Sequence, residues 1–447
     1  MGQRGKILTE ILGYRGWKVR DAYFVDERDE RVVPLAGHDV VPSSRLVLSV
    51  ERKWAPRCSQ CGAICRKGAH EVLEKRRWQD LEWAGHTVFL EATPIRVKCK
   101  RCQGAPVEMV AWAEPQQRQT TRLQTQLAIE AASMPIQHVA ALHAMTWNAV
   151  RRAEGVTLAR WAATRPAVEL HRVGVDEKWL GRRHKREYAY ITIVSNLDTG
   201  EPVWIGPGRG EETLKKWIAT LTPEQKREIA LFSMDMHQPF LAAIHADTAL
   251  AHVVVVHDPF HLMKRANEAI TEMRRETFFR ASPEMRRIGR GSRWLVLRAW
   301  ERCTEAEQDQ LDLLFRYNPR LGRAYQVMDE YRDALVHAPH RKAMEVGLNR
   351  VLRRTQERQN IPLRKFHDSL VNHRAQILNL AEHRPPTGRT EALNNNWETL
   401  VRRARGYRDL EYLLLKLRFM VVNPIRSKDQ LTRFRALGLQ GPLRQAA

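Results

Sequence analysis

Four acidic side chains and two pairs of cysteines, widely separated along the chain, are the residues whose types could do chemistry together. Asp176 ends the short apolar run 173–176, Asp235 closes the run 229–234, Asp258 follows the β-branched run 252–256, and Glu391 opens a helical pattern after Pro385. Carboxylates that leave the ends of neighbouring strands repel one another unless cations lie between them. Two Mg²⁺ (or Mn²⁺) ions per active site, roughly 3.5–4 Å apart, would use such shared oxygens to activate an attacking oxygen and stabilise a leaving one. Asp176 and Asp235 are the expected pair, Asp258 is the reserve second acid, and Glu391 is the natural third carboxylate. Each aspartate could instead cap a turn or helix, a common role for Asp after a strand.

The cysteines point to a different metal. Cys58 with Cys61 and Cys99 with Cys102 form two CxxC knuckles across a β-rich spacer, 72–97. Four soft thiolates at that spacing suit one structural tetrahedral Zn²⁺. Cys65 fits the spacing less well, and Cys303 reads as core or surface thiol. Lys98, Lys100 and Arg101 surround the second knuckle, which favours a DNA-contact module over a catalytic zinc.

These residues need elements to hold them. The stretch 171–200 reads as a buried strand ending in Asp176, a basic turn, then a second strand over 188–194 and a turn at 196–200. Downstream, 201–205, 229–234 and 252–256 read as further strands separated by helices, giving the order βββαβαβ of a ribonuclease-H-like α/β core. Before the core, Leu123, Leu127, Ile129 and Ala132 mark a helix, 136–143 a short second one, and Thr146 caps a third running into Arg151 and Arg152. This is a helix-turn-helix pattern, offering Trp147, Asn148, Arg151 and Arg152 to a DNA groove; a helical linker with solvated charges is the plain alternative. Residues 263–380 read as an all-helical insertion, with a basic run from Lys264 and Arg265 to Arg298 that could clamp phosphates. Beside Glu391, Arg402, Arg403, Arg405 and Arg408 could do the same. Glu398, two turns later, is less well placed, and the stretch after Pro424 reads as a peripheral basic tail.

The formal net charge of +23 over 447 residues favours a polyanionic partner, and nucleic acid is the obvious one. No run of eighteen apolar residues and no hydrophobic amino-terminal segment occur, so a soluble, intracellular protein without membrane attachment is expected. Six cysteines are too few for a disulfide scaffold in a chain of this length.

In order, the two CxxC pairs at 58–102, DLEWAG at 80–85, GVDE at 174–177, DPFH at 258–261 and TGRTEALNNNWETLVRRARGY at 387–407 resemble the bacterial insertion-sequence transposases of the IS-L-three (ISL3) family over about residues 50–420. The resemblance implies an amino-terminal zinc finger, a helix-turn-helix that helps recognise terminal inverted repeats, and a DDE core split by a helical insertion. By position it makes Asp176, Asp235 and Glu391 the first, second and third catalytic acids, with Asp258 structural or accessory. Ala392 and Thr387 stand where the family commonly has Gly and Asn. The implied reaction is hydrolysis of a DNA phosphodiester at each element end, then attack of the freed 3′-hydroxyl on target DNA, within a homodimer or larger synaptic assembly.

The expected domains are 1–110 with the zinc finger, 111–166 helix-turn-helix, 167–262 first part of the core, 263–384 insertion, 385–423 last part of the core and 424–447 basic tail. Two other readings share the residues. A ribonuclease-H-like structure-specific nuclease would cut without strand transfer, and a transposase-derived regulator would bind repeat ends equally well without Mg²⁺.

Overall fold

Alternating apolar residues build an amino-terminal sheet around Trp112, which is fully buried and meets the rings of Trp17 and Trp78 at 4.6 and 5.4 Å. The structure is a computed structural model and describes residues 3–32, 45–66, 69–180, 189–280, 282–356, 360–404 and 407–439. The chain divides into two units, Met1–Pro166 with Arg402–Arg405 and Arg418–Ala447, and Ala167–Val401 with Gly406–Leu417.

In the first unit, α1 (Gln3–Leu12) precedes β1 (Trp17–Val25), β2 (Arg31–Val32), β3 (Arg45–Arg52), β4 (Ala69–Val72), β5 (Arg76–Trp83), β6 (His86–Ala92) and β7 (Ile95–Val97). Five strands pair in the order β2-β1-β3-β6-β5, and β4 pairs with β7 in a separate ribbon. The DLEWAG segment is the β5–β6 turn: Ala84 and Gly85 both take positive φ (52° and 79°), as a two-residue turn matched to strand twist requires. Its Asp80 is completely buried. It accepts from the Thr120 hydroxyl at 2.7 Å and from Arg122, tying the sheet to the start of the next helix.

That helix, α2 (Thr121–Ser133), is followed by α3 (Ile136–Leu142) and α4 (Trp147–Ala163), with Thr120 and Thr146 capping α2 and α4 through their hydroxyls. The buried stripe on α2 is Leu123, Leu127, Ala128 and Ala131, so Ile129 and Ala132 lie at its margin. The third helix is longer than its sequence suggested. Residues 160–163, expected as a link, stay helical because Leu158 and Trp161 continue the buried stripe and Glu114 pairs with the buried Arg160 at 2.8 Å.

The second unit begins with β8 (Arg172–Trp179), β9 (Tyr190–Asn196) and β10 (Pro202–Pro207), then α5 (Glu211–Ile218), α6 (Pro223–Glu228), β11 (Leu231–Met234), α7 (Gln238–His245) and β12 (Val254–His257). The sheet order is β10-β9-β8-β11-β12. Strands β8, β9 and β10 are antiparallel neighbours, whereas β11 runs parallel to both β8 and β12. The basic turn expected between the first two strands, 181–188, lies outside the described residues.

Both faces of this sheet are covered, as a run such as Val254–Val256 demands. Val173, Val175, Phe232, Met234 and Val255 pack with Leu214, Trp217 and Phe240 of α5 and α7. On the other face, Leu231 and Val256 join a core formed with the helices α8 (Pro259–Phe278), α9 (Pro283–Ile288), α10 (Glu305–Tyr317), α11 (Pro319–His337), α12 (Arg341–Arg354), α13 (Ile361–Asn372) and α14 (Arg374–Asn379). Next come α15 (Thr387–Ala404) and α16 (Leu410–Val422).

Beyond Pro424 the chain does not trail away as a peripheral tail. Residues Lys428–Leu439 form α17, which returns to the first unit. Phe434 stacks on Phe419, which in turn meets Trp161, and the Gly438 carbonyl accepts from the Thr121 hydroxyl at 2.7 Å. A Cβ at Gly438 would lie 2.6 Å from Thr125 Oγ1 and 3.0 Å from the Arg122 backbone, so only glycine permits this approach. Gly438→Val should therefore destabilise the protein by about 1–3 kcal/mol through overpacking, read by thermal or denaturant unfolding. Unchanged unfolding would mean that α17 does not dock as described.

Candidate active site

Period-two alternation along β8 sends Val173 and Val175 to one face and Gly174, Asp176 and Lys178 to the other. Gly174 is needed there because a Cβ would fall 2.7 Å from Leu197 Cδ2 and 2.8 Å from Ser195 Oγ. Parallel pairing sets Met234 opposite Val175 on β8 and His257 on β12, so Asp235 and Asp258, the next residues, leave the same sheet edge as Asp176. Asp176, Lys178, Asp235, Asp258, His261 and Ser195 line one small cavity of about 20 Å³, room for a single water-sized sphere.

Each carboxylate has a distinct neighbour. Asp176 Oδ2 lies 2.6 Å from the Lys178 ammonium but makes no hydrogen bond, so this contact is an ion pair without hydrogen-bond alignment. Asp235 Oδ1 accepts from the Met236 amide at 2.6 Å, while its Oδ2 faces His261 Nδ1 at 3.4 Å. Asp258 caps α8 by accepting from the Phe260 amide at 2.9 Å. Burial pushes the Asp258 carboxyl above its ordinary pKa; the Phe260 amide and the His261 charge oppose this, while the charges of Asp176 and Asp235 add to it. Asp258 therefore is both the helix cap that sequence reasoning allowed and a member of the acidic cluster.

Glu391 is not brought into this cavity. It is exposed at the start of the second turn of α15, which turns Thr390, Leu393 and Asn394 to the lining instead. Those two polar residues carried no separate signal in the sequence beyond their place in TEALNN. Glu398 is also exposed.

Behind the acids, His257 at the end of β12 shares a 2.9 Å hydrogen bond, Nε2 to Nδ1, with His373, the residue before α14. Both are buried. Burial, then the neighbouring His373, lower the His257 pKa to about 4, and burial lowers that of His373.

In the first unit the four cysteines converge. The sulfurs of Cys58, Cys61, Cys99 and Cys102 all lie within 4.8 Å of one another, the one such group of three or more potential ligands among the described residues. Cys58 to Cys102 is 3.8 Å and Cys61 to Cys99 is 3.5 Å. A tetrahedral ion with metal–sulfur bonds near 2.3 Å needs sulfur–sulfur edges of about 3.8 Å, so the set fits. The Cys102 amide donates to Cys99 Sγ at 3.5 Å and draws that thiol down to about 6, toward the thiolate a metal binds. Cys65 is buried beside the group but outside it, and Lys98, Lys100 and Arg101 are exposed. The three carboxylates, with hydroxyl and amide oxygens nearby, are donors of the kind a hard divalent cation takes.

Trp147 and Asn148 are exposed on the first turn of α4, Arg152 is exposed on the second, and Arg151 is half-buried. The remaining expected DNA contacts divide. Arg402, Arg403 and Arg408 are exposed, but Arg403 donates to the Ala132 carbonyl at 2.9 Å, and Arg405 lies outside the described residues. In the insertion, Arg274 is buried against Gly289 and Ser292, and Arg298 pairs with Glu307. Lys264, Arg286, Arg287, Arg290 and Arg293 remain exposed.

Comparison with known proteins adds the chemistry's context. A family model described as a transposase, of family ISL3, matches residues 173–417, and the helix-turn-helix domain of transposase family ISL3 matches 108–153. The chain is 29% identical over 364 residues to the transposase for insertion sequence element IS1001 of Bordetella parapertussis, covering 81% of this chain and 87% of that one. It is 27% identical over 409 residues to the transposase for insertion sequence element IS1557 of Mycobacterium tuberculosis, covering 84% and 88%.

The histidine pair yields a pH dependence. Its folded-state pKa lies below the unfolded value, so the unfolded chain binds more protons between about pH 4 and pH 6.5, and stability rises with pH across that window. For His257 the full difference is on the order of 3 kcal/mol, present above pH 6.5 and lost as pH falls toward 4. Histidine NMR titration should place the His257 midpoint near 4, and His257→Asn should flatten the stability slope between those limits. A midpoint near 6.5 would contradict the burial described.

Proposed function

The chain belongs to the ISL3 family of transposases, and from that premise we propose that Asp176, Asp235 and Glu391 are the acids of its active site, with Asp258 as a supporting cap. The protein is a DNA transposase, a metal-dependent enzyme of DNA cleavage and transfer, and it binds DNA. Nothing in the comparisons favours the nuclease or regulator readings. The observation that carries the assignment is the convergence of Asp176 and Asp235 from adjacent parallel strands onto one cavity.

The sheet order, three antiparallel strands followed by two parallel to the first, supports a ribonuclease-H-like core split by the helical insertion 263–384. Divalent ions, Mg²⁺ or Mn²⁺, would be held by Asp176 and Asp235 and would supply activation of the attacking oxygen and stabilisation of the leaving one. The chain's own residues do the rest. Asp176 is fixed within β8, which runs on to Trp179 rather than ending at the carboxylate as expected, Asp235 is fixed by the end of β11, and His261 orients Asp235 through its 3.4 Å contact. Glu391 adjoins Thr390, which already lines the cavity, so the third carboxylate stands one residue from the site and closes on it when DNA is engaged. Exposed arginines of the insertion hold the backbone, while Trp147, Asn148, Arg151 and Arg152 read the terminal inverted repeats. The four cysteines hold a structural Zn²⁺. Cutting and joining two ends calls for a homodimer or larger synaptic complex, acting at the bacterial nucleoid; no helix among the described residues is long and apolar enough to cross a membrane.

Asp176→Ala, Asp235→Ala and Glu391→Ala should each reduce cleavage of an inverted-repeat substrate by at least about 100-fold while repeat binding, measured by gel shift, stays within a few-fold. Asp258→Asn, which keeps a capping oxygen, should retain cleavage. The reverse result, cleavage kept by Glu391→Ala and lost in Asp258→Asn, would make Asp258 the third acid. Elemental analysis of chelator-free protein should find about one zinc per chain, lost on Cys99→Ser. Absence of metal, with four reactive thiols, would overturn the zinc assignment.

A further inference from the structure

Lys178 brings an ammonium into the acidic cavity beside His261, and its position follows from the strand. Two residues beyond Asp176 on β8, it shares the face of that carboxylate, and both side chains are largely covered, at 17% and 15% exposure. Its ammonium lies 2.6 Å from Asp176 Oδ2, an oxygen that is buried and takes no hydrogen bond. A lysine is seldom buried this far unless a carboxylate holds it.

We propose that Lys178 is a competing counter-ion of Asp176: its ammonium pairs with a carboxylate oxygen that would take a divalent cation, and it would give way toward the DNA phosphate when one binds. The proposal rests on the assignment of Asp176 and Asp235 as metal-holding acids. Three observations carry it. Asp176, Asp235 and Asp258 meet in one cavity, and without a cation their charges repel. The ammonium stands on the Asp176 oxygen that faces this small cavity, so a second cation drawn to that oxygen competes with it. The contact lacks hydrogen-bond alignment, so the ammonium is held by charge alone, on a flexible four-carbon stem whose head can swing out while its three donors seek a new anion. A phosphate oxygen of the bound strand is such an anion. Exchange of one cation for another then couples metal loading to DNA engagement, making Lys178 a positioning residue rather than a ligand.

The test is Mn²⁺ affinity of the full-length, zinc-loaded, DNA-free protein, followed by the paramagnetic resonance signal of free Mn²⁺. Lys178→Met, and independently Lys178→Gln, should bind Mn²⁺ about tenfold more tightly than the unsubstituted protein, because a competing cation has gone. Lys178→Arg, which keeps the charge, should stay near the original affinity. A merely structural role would move affinity the other way, since a disordered site binds metal less well. In the absence of divalent ions, Lys178→Met should also unfold at lower temperature, with Mn²⁺ restoring more of the loss than in the unsubstituted protein. Unchanged or weaker Mn²⁺ binding in both neutral variants, with binding still abolished by Asp176→Asn, would overturn the role of Lys178 and leave the acids standing. Mn²⁺ binding untouched by Asp176→Asn would overturn the acid assignment itself, and the proposal with it.

Discussion

Like charges gathered at one level across the parallel strands of a mixed sheet are an arrangement that a chain does not adopt by local preference. Asp176, Asp235 and Asp258 arrive there because β8, β11 and β12 run in the same direction in a fixed register, and that register is set by burial on two faces. A slip of one residue would turn Phe232 and Val255 away from α5 and α7 and carry Asp235 off the edge. The hydrophobic energy of both faces therefore opposes the mutual repulsion of the acids. The energy needed to hold the carboxylates together comes from apolar residues packed on the two faces of the sheet.

The insertion takes part in that support. Its helices and the sheet face formed by Leu231 and Val256 belong to one continuous core that reaches Tyr331 and Phe366. Polar links add to it: Asn379 of α14 donates to the Val255 carbonyl at 2.9 Å, and His373 meets His257. Both links land on β12, directly before the cap at Asp258. The helices between β12 and α15 thus cover a sheet face that would otherwise be open and tie down β12.

Residues with strong local signals were legible in the sequence. The β-branched run before Asp258, the apolar run before Asp235, the CxxC pairs and the capping Thr146 all announce their elements through composition and spacing. What escaped depends on partners distant in sequence. The length of α4 is decided by Glu114 neutralising Arg160, and the docking of α17 by a missing Cβ at Gly438 against α2. The basic run in the insertion reads as uniform, yet Arg274 and Arg298 are bound internally while their neighbours are exposed, a division visible only once Ser292, Gly289 and Glu307 are placed. Counting positive residues points to the polyanion partner and does not separate the arginines bound internally from the exposed ones.

The orientation of α15 shows why a motif can name a residue and still not place it. Leu393, Trp397 and Leu400 are buried at positions i, i+4 and i+7, so the helix cannot roll about its axis without exposing all three. With that stripe inward, Thr390 and Asn394 fall on the cavity side and Glu391 falls about 100° away, in solvent. Bringing Glu391 to the acids therefore requires its long side chain to fold back, or the helix to rewind from its start through Glu391 while the rest stays seated. The start of the helix suits the second route: it follows Pro385 and Pro386, and Gly388 has open space around its missing Cβ, so no packing demands a glycine there. A glycine without a steric reason inside a first helical turn lowers the cost of local unwinding. The buried stripe would then act as the fixed part and the turn carrying Glu391 as the movable part of one helix.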